Sequence, residues 1–269
     1  MRADLISTKA VRDAATDLAT AAAAGVACAP VRALIGDTDL DAAYAVQSTV
    51  TAERVAGGAR VVGRKIGLTS PAVQRQLGVF QPDFGTLLDD MVYSHGEPVP
   101  LAAFLRPRVE AEIAFVFGAD VTAQRPSVVD VLRATEFVTA AIEIVDSRIR
   151  DWDIRITDTV ADNASSGAVV LGATPYSLTG LDLAEVGMVL ETDGEPVSTG
   201  AGSACLGSPA VAVTWLAREL TRRGDPLRAG QVVLSGALGP VVAVEAPGRY
   251  RARLDGLGTV DANMVGESQ

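Results

Sequence analysis

Two glutamates, Glu110 and Glu112, stand two residues apart in the stretch RPRVEAEIAF, residues 106–115. Val109, Ala111, Ile113 and Phe115 alternate with them. This alternation predicts a β-strand with both carboxylates on one face and the apolar residues on the other, directed into a core. A third acid, Glu143, is bracketed by Ile142 and Ile144 in AAIEIVDSRI. Burying ionised carboxylates without compensation is costly, and a divalent cation removes the cost. Three carboxylates with no histidine or cysteine nearby suit a hard, oxygen-preferring ion, Mg²⁺ or Mn²⁺ rather than zinc. Three ligands would leave about half of an octahedron open to water or substrate. The same residues also fit a second reading, in which E-x-E is the solvated face of an edge strand and Glu143 pairs with Arg106 or Arg148.

The other reactive side chains narrow the choice. Lys9 and Lys65 are the only lysines among 23 basic residues. An amine can exchange a proton near neutral pH and a guanidinium cannot, which singles out Lys65. The sole histidine, His95, lies in the turn-like SHGEP, so a Ser-His-Asp arrangement is not expected. Cys28 and Cys205 match no metal or redox spacing and read as small hydrophobic residues. No glycine-rich phosphate loop follows a strand, so a nucleotide cofactor is not expected. A net charge of -10 disfavours nucleic acid and anionic lipid as partners. The first residues lack the apolar core of a secretory signal, no run is apolar enough to span a membrane, and the expected location is the cytoplasm.

These side chains need elements to hold them. An alanine-rich helix is predicted over 8–25. A second covers LDAAYAVQSTVTAERVA, capped by Asp37 or Thr38 and stopped by GGAR at 57–60. VVGRKIG reads as a strand that breaks at Gly67, and QPDFGTL as a turn-rich loop. Ser127 with Asp130 forms a capping-box signature. SPAVAVTWLARELTRRG is the clearest helix, with Ser208 as cap, Pro209 in the first turn and Gly224 after the last. The tail consists of short β segments with glycine turns. Helices first and strands later predict an α+β fold. Its division is a helix-rich N-terminal lobe at 1–75 and a β-rich catalytic body at 76–269, acting as one cooperative unit.

GRKIGLTS, QPDFGTLLDDM, RPRVEAEIAFVF, AAIEIVDSRI, DNASSGAVVLG, the long stretch from ACLGSPAVAV to LSGALGP, and LGTV occur in this order. Together they resemble the 2-keto-4-pentenoate hydratase family of the fumarylacetoacetate hydrolase superfamily, over roughly residues 40–260. The resemblance implies a mixed β-roll with a small helical N-terminal lobe. It implies metal ligation by Glu110, Glu112 and Glu143, with one Mg²⁺ or Mn²⁺ per subunit, and catalysis by Lys65 and Asp83. It also implies substrate contacts from Gly67, Leu68 and one of Ser165 and Ser166. Asp83 follows a proline and, apart from the resemblance, reads as an ordinary turn acid. The implied activity is hydration of 2-hydroxypenta-2,4-dienoate in the meta-cleavage breakdown of aromatic or steroid rings. The implied partners are a small anionic 2-oxo or 2-hydroxy acid, further copies of the chain in a homo-oligomer, and a pathway enzyme. The sister 4-oxalocrotonate decarboxylases share the acids and the lysine motif. Decarboxylation or C–C hydrolysis is therefore the alternative, and a silent assembly-forming homologue the third.

Overall fold

A computed structural model describes residues 2–70, 74–75 and 79–266, with side chains from Lys9 onward. The chain opens with helices α1 (Arg2–Ala24), α2 (Arg32–Ile35) and α3 (Leu40–Ala56). α3 is capped by Asp39, which accepts the Ala42 N–H at 2.9 Å, and not by Asp37 or Thr38. Asp37 instead pairs with Arg155. Strands β1 (Val61–Gly67) and β2 (Asp83–Leu88) follow, then the short β3 (Val92–Ser94) and β4 (Pro98–Pro100). β5 (Arg108–Phe117) and β6 (Thr135–Val145) are the long central pair, separated by α4 (Val128–Ala134). The capping box on α4 is formed, with Ser127 N–H donating to Asp130 Oδ2 at 2.8 Å. After α5 (Ile156–Ala161) come β7 (Ser166–Leu171), β8 (Gly187–Thr192) and β9 (Glu195–Ala201). Helix α6 (Pro209–Arg222) leads to β10 (Val232–Leu234), β11 (Val242–Ala243), β12 (Gly248–Leu254) and β13 (Gly258–Val265). Ser208 occupies the cap position of α6 without a side-chain hydrogen bond, and Gly224 turns the chain at φ +80°.

Two mixed sheets result. The larger runs β2-β1-β10-β5-β6-β7-β3, with β11 added beside β5, and the smaller runs β4-β13-β12-β8-β9. Sheets and helices in one unit give the α+β class read from the sequence. One expectation fails: most of QPDFGTL belongs to the strand Asp83–Leu88 and is not a loop, and all six strand residues are buried. A strand covered on both faces carries no polar alternation, so Pro82 and Gly85 dominate its appearance. α3 and α5 cover β2, and Gln47 of α3 ties them together by donating to the carbonyls of Phe84 and Val160. β1 precedes residue 75 yet lies inside the large sheet, paired with both β2 and β10.

The core respects the alternation on β5. Val109, Ala111, Ile113 and Phe115 are buried in the main apolar cluster. The opposite face carries a smaller cluster of Leu87, Ala114, Ala141, Val169 and Leu234. Among the described residues no helix is long and apolar enough to cross a membrane.

Candidate active site

Strand register assembles the site. Glu110 on β5 lies directly opposite Glu143 on β6, and Glu112 is two residues along the same face. On the neighbouring strands Lys65 pairs with Leu234 of β10 and with Gly85 of β2, while Gly67 pairs with Asp83. Directly paired residues share a face, so Lys65, Asp83 and the three glutamates all project from the same side. The small apolar cluster, with Ala114, Ala141 and Leu234, lies on that same side.

One carboxylate oxygen from each of Glu110, Glu112 and Glu143 lies within 4.8 Å of the others. Oxygens sharing one hard cation at about 2.0–2.6 Å stand at most about 5 Å apart, so the spacing fits one ion. Glu112 and Glu143 are fully buried. Glu112 Oε1 and both oxygens of Glu143 have no hydrogen-bond partner among the described residues. Such a group is costly unless something binds it. These three side chains therefore fit a divalent ion of the Mg²⁺ or Mn²⁺ type, and their oxygen-only donor set does not suit zinc.

The cation beside them is Lys65, with Nζ 3.0 Å from Glu143 Oε1, an ion-pair distance without hydrogen-bond alignment. Arg106 and Arg148, the partners considered for Glu143, go elsewhere. Arg106 pairs with Asp151 at 2.9 Å. Arg148 binds Asp162 at 2.5 Å and the Ser166 carbonyl at 2.9 Å. Asp146 accepts the N–H groups of Leu105 and Arg106. The spacing of charges along the chain could not reveal this, because the lysine is 78 residues from its glutamate and reaches it through the sheet.

Electrostatics follow from burial. Desolvation pulls the Lys65 ammonium down, but Glu143, Asp83, Glu110 and Glu112 together outweigh it and hold the lysine above its ordinary value. Burial raises Asp83 to about 6, with Lys65 opposing the rise. Burial, then Glu143, raises Glu110 to about 7, and the same two causes push Glu112 well above the usual carboxylate range.

Close backbone approaches hold these groups. A Cβ on Gly67 would fall 2.2 Å from Asp83 Oδ1, so only glycine leaves room for that carboxylate. Gly236, at φ +98°, donates its N–H to Glu112 Oε2 at 2.6 Å. The sequence reading missed this residue. Its signal was a glycine directly after a strand-like run. Thr159 was missed as well. Its side chain works against the rise at Asp83, and its hydroxyl lies 3.1 Å from that of Ser165. Nothing in the local pattern of α5 marks it.

Gly67 and Leu68 line a cavity of about 720 Å³ that opens beside Glu110. Leu68 holds φ +55°, and Asn163, Ala164 and Ser165 hold +55°, +52° and +54° in succession. Non-glycine residues in this region store strain that surrounding contacts must hold. Ser165 and Ser166 are both buried. Ser165 faces Thr159, whereas Ser166 lines a separate cavity with Asp162 and Gly167. His95 is exposed and accepts the Asp261 N–H. Both cysteines are free, and Cys205 is buried.

The Fumarylacetoacetate (FAA) hydrolase C-terminal family matches residues 63–265. The chain is 57% identical to the TodF product hydratase of Pseudomonas putida F1, over 96% of this chain and 97% of that protein. It is 54% identical to a 2-keto-4-pentenoate hydratase of Paraburkholderia xenovorans LB400, over 92% of each. Its fold matches that of 4-oxalocrotonate decarboxylase from Pseudomonas putida G7, solved with magnesium and adipate. The TM-score is 0.91 at 32% identity, covering 96% of this chain and 98% of that one. The strand-borne acids, the buried lysine and these extended similarities lead to one assignment: the chain belongs to the fumarylacetoacetate hydrolase family, among its 2-keto-4-pentenoate hydratases.

Proposed function

We propose that this enzyme is a divalent-metal-dependent hydro-lyase. It adds water to 2-hydroxypenta-2,4-dienoate and forms 4-hydroxy-2-oxopentanoate in meta-cleavage catabolism. The observation that carries the proposal is the cluster of Glu110, Glu112 and Glu143, with buried unpartnered oxygens beside Lys65 and Asp83. The hydratase relatives give the reaction, and the magnesium complex of the decarboxylase supports a divalent ion. Glu110, Glu112 and Glu143 would hold one Mg²⁺ or Mn²⁺ per subunit, and the ion would supply a Lewis acid for the substrate's carboxylate and C2 oxygen.

The chain's own residues then have defined tasks. The enol proton on the C2 oxygen must leave and a proton must arrive at C5, giving a 2-oxo-3-enoate. Water's oxygen next bonds to C4, its proton goes to a base, and C3 takes a proton. One water is consumed and the charge is unchanged. Asp83 is the acceptor, with Thr159 opposing its rise and Gly67 leaving room for its carboxylate. Lys65 is the donor, and its positive charge also draws in the anionic substrate. The apolar cluster under the sheet excludes stray water from the enol. Gly67 and Leu68 present backbone to the substrate at the cavity wall, and Ser165 is the serine on Asp83's side.

The proposal includes a cytoplasmic homo-oligomer. The test is an absorbance assay on 2-hydroxypenta-2,4-dienoate, run beside 2-oxo-3-hexenedioate, with and without chelator. Loss of the dienoate band only in the presence of Mg²⁺ or Mn²⁺ is expected. Release of CO₂ from the diacid at a higher kcat/KM would replace the hydratase with a decarboxylase.

A further inference from the structure

The cavity beside Glu110 is larger than a five-carbon acid requires. Its volume of about 720 Å³ lies in the range of pockets that hold ligands several times that size, roughly 300–1,000 Å³. Apolar groups dominate its lining: Leu238, Pro240 and Val241 from one segment, Ala201 and Ala204 from another. Among the described residues that line it, Glu110 is the only one with an ionisable side chain.

These walls are built, not incidental. Ala201 N–H donates to the Leu238 carbonyl at 3.0 Å, and Leu238 N–H donates to the Ala111 carbonyl at 3.0 Å. A Cβ on Gly200 would lie 1.9 Å from the Leu238 oxygen, so the two segments pack this closely only because that residue is glycine. Ala201 and Ala204 are half-buried and contribute single methyl groups where longer side chains would fill the space.

Under the function proposed above, on which this inference rests, the substrate's carboxylate and C2 oxygen sit at the glutamate cluster. Its C5 end then points away from the acids and into the cavity. We infer that the cavity is a subsite for an uncharged, apolar C5 substituent longer than methyl. The substrate class thereby extends from 2-hydroxypenta-2,4-dienoate to its 5-alkyl derivatives, and a second carboxylate at the distal end is rejected. An alkyl chain there gains by leaving water. A carboxylate would lose its hydration, meet no cation among the described lining residues and face Glu110.

Calorimetry on the Mg²⁺-loaded protein with three unreactive 2-oxo acids tests this separately from catalysis. 2-Oxooctanoate is expected to bind at least ~10-fold more tightly than 2-oxopentanoate, since each buried methylene adds to discrimination. 2-Oxohexanedioate is expected to bind more weakly than either. Ala204→Leu should erase most of the preference for 2-oxooctanoate over 2-oxopentanoate. Val241→Arg, at a position 39% exposed and so tolerant of the change, should improve 2-oxohexanedioate binding. Equal affinities for the two monoacids, tighter binding of the diacid, or no binding of any of the three would overturn the subsite. A protein that prefers 2-oxooctanoate but hydrates no dienoate keeps the subsite and refutes the reaction instead.

Discussion

Lys65 is the cation nearest to Glu143, and its role can be separated into charge and proton. Lys65→Arg keeps the charge and loses the exchangeable proton, so kcat should fall nearly as far as in Lys65→Ala, by the ~10²–10⁴-fold typical of acid–base assistance. A loss below about tenfold, with chemistry rate-limiting, would leave Lys65 only a steering role and move proton transfer to Asp83 acting through water. Gly67→Ala probes Asp83 without touching it. The added methyl would meet Asp83 Oδ1 at 2.2 Å and displace it, and misplacing a reacting group by about 1 Å costs on the order of 10²-fold. Wild-type kcat in Gly67→Ala would show that Asp83 has no demanding position to keep. At this scale the sequence was uneven in what it disclosed. Glu110, Glu112 and Glu143 stood out because charges embedded in apolar runs need a reason. Asp83 was visible only through family resemblance, because an acid after proline looks the same whether it caps a turn or opens a buried strand. The partners of Arg106 and Arg148 depended on three-dimensional routes that spacing does not encode.

Elements with a clear period were read correctly, and those covered on both sides were not. β5 disclosed itself by alternation, α4 by its capping box and α6 by Pro209 and Gly224. β2 was hidden because its six residues are all buried and two turn-forming residues sit within or beside it. The turn Asn163–Ser165 was equally hidden, since Ala164 and Ser165 in the left-handed region contradict their own local preference. The strain persists because Asn163 clamps β2, accepting the Thr86 N–H at 2.7 Å and donating to the Thr86 carbonyl at 2.8 Å. Asn163→Ala removes both bonds and leaves the backbone groups of Thr86 without their partner. The expected loss is roughly 1–3 kcal/mol, seen as a lowered Tm, and kcat should fall as Ser165 leaves Thr159. An unchanged Tm would mean that the turn's other contacts, from Arg148, Asp162, Asp146 and Thr159, hold it without Asn163.

Across the whole molecule, the site sets a conflict between function and stability that pH exposes. The metal-free protein holds carboxylates that resist ionisation: Asp83 rises from 3.8 to about 6 and Glu110 from 4.5 to about 7, and burial also pushes Glu112 well above its ordinary value. A group with a raised folded-state pKa contributes stability that is complete below its unfolded value and is lost as pH rises through the folded one. Lys65 contributes no slope in this window, because it stays charged in both states between pH 5 and 8. Chelated enzyme should therefore lose Tm between pH 5 and pH 8, by roughly 5 °C or more for a chain of this size. Saturating Mg²⁺ should flatten the fall, since the ion replaces the missing protons and binds only the folded state. Because β1 and β2 lie on either side of residue 75 yet pair within one sheet, we propose that the N-terminal lobe and the body melt together, in a single transition at each pH. The net charge of -10 adds a general repulsion that also grows with pH, and one variant separates the two causes. Glu112→Gln keeps the volume and removes one buried charge, so it should raise the Tm of chelated protein at pH 8, shrink the gap between pH 5 and pH 8, and abolish most Mg²⁺-dependent turnover. If chelated wild type is as stable at pH 8 as at pH 5, or Glu112→Gln leaves the gap unchanged, the buried glutamates are not the source of the instability and the stabilising ion must act elsewhere.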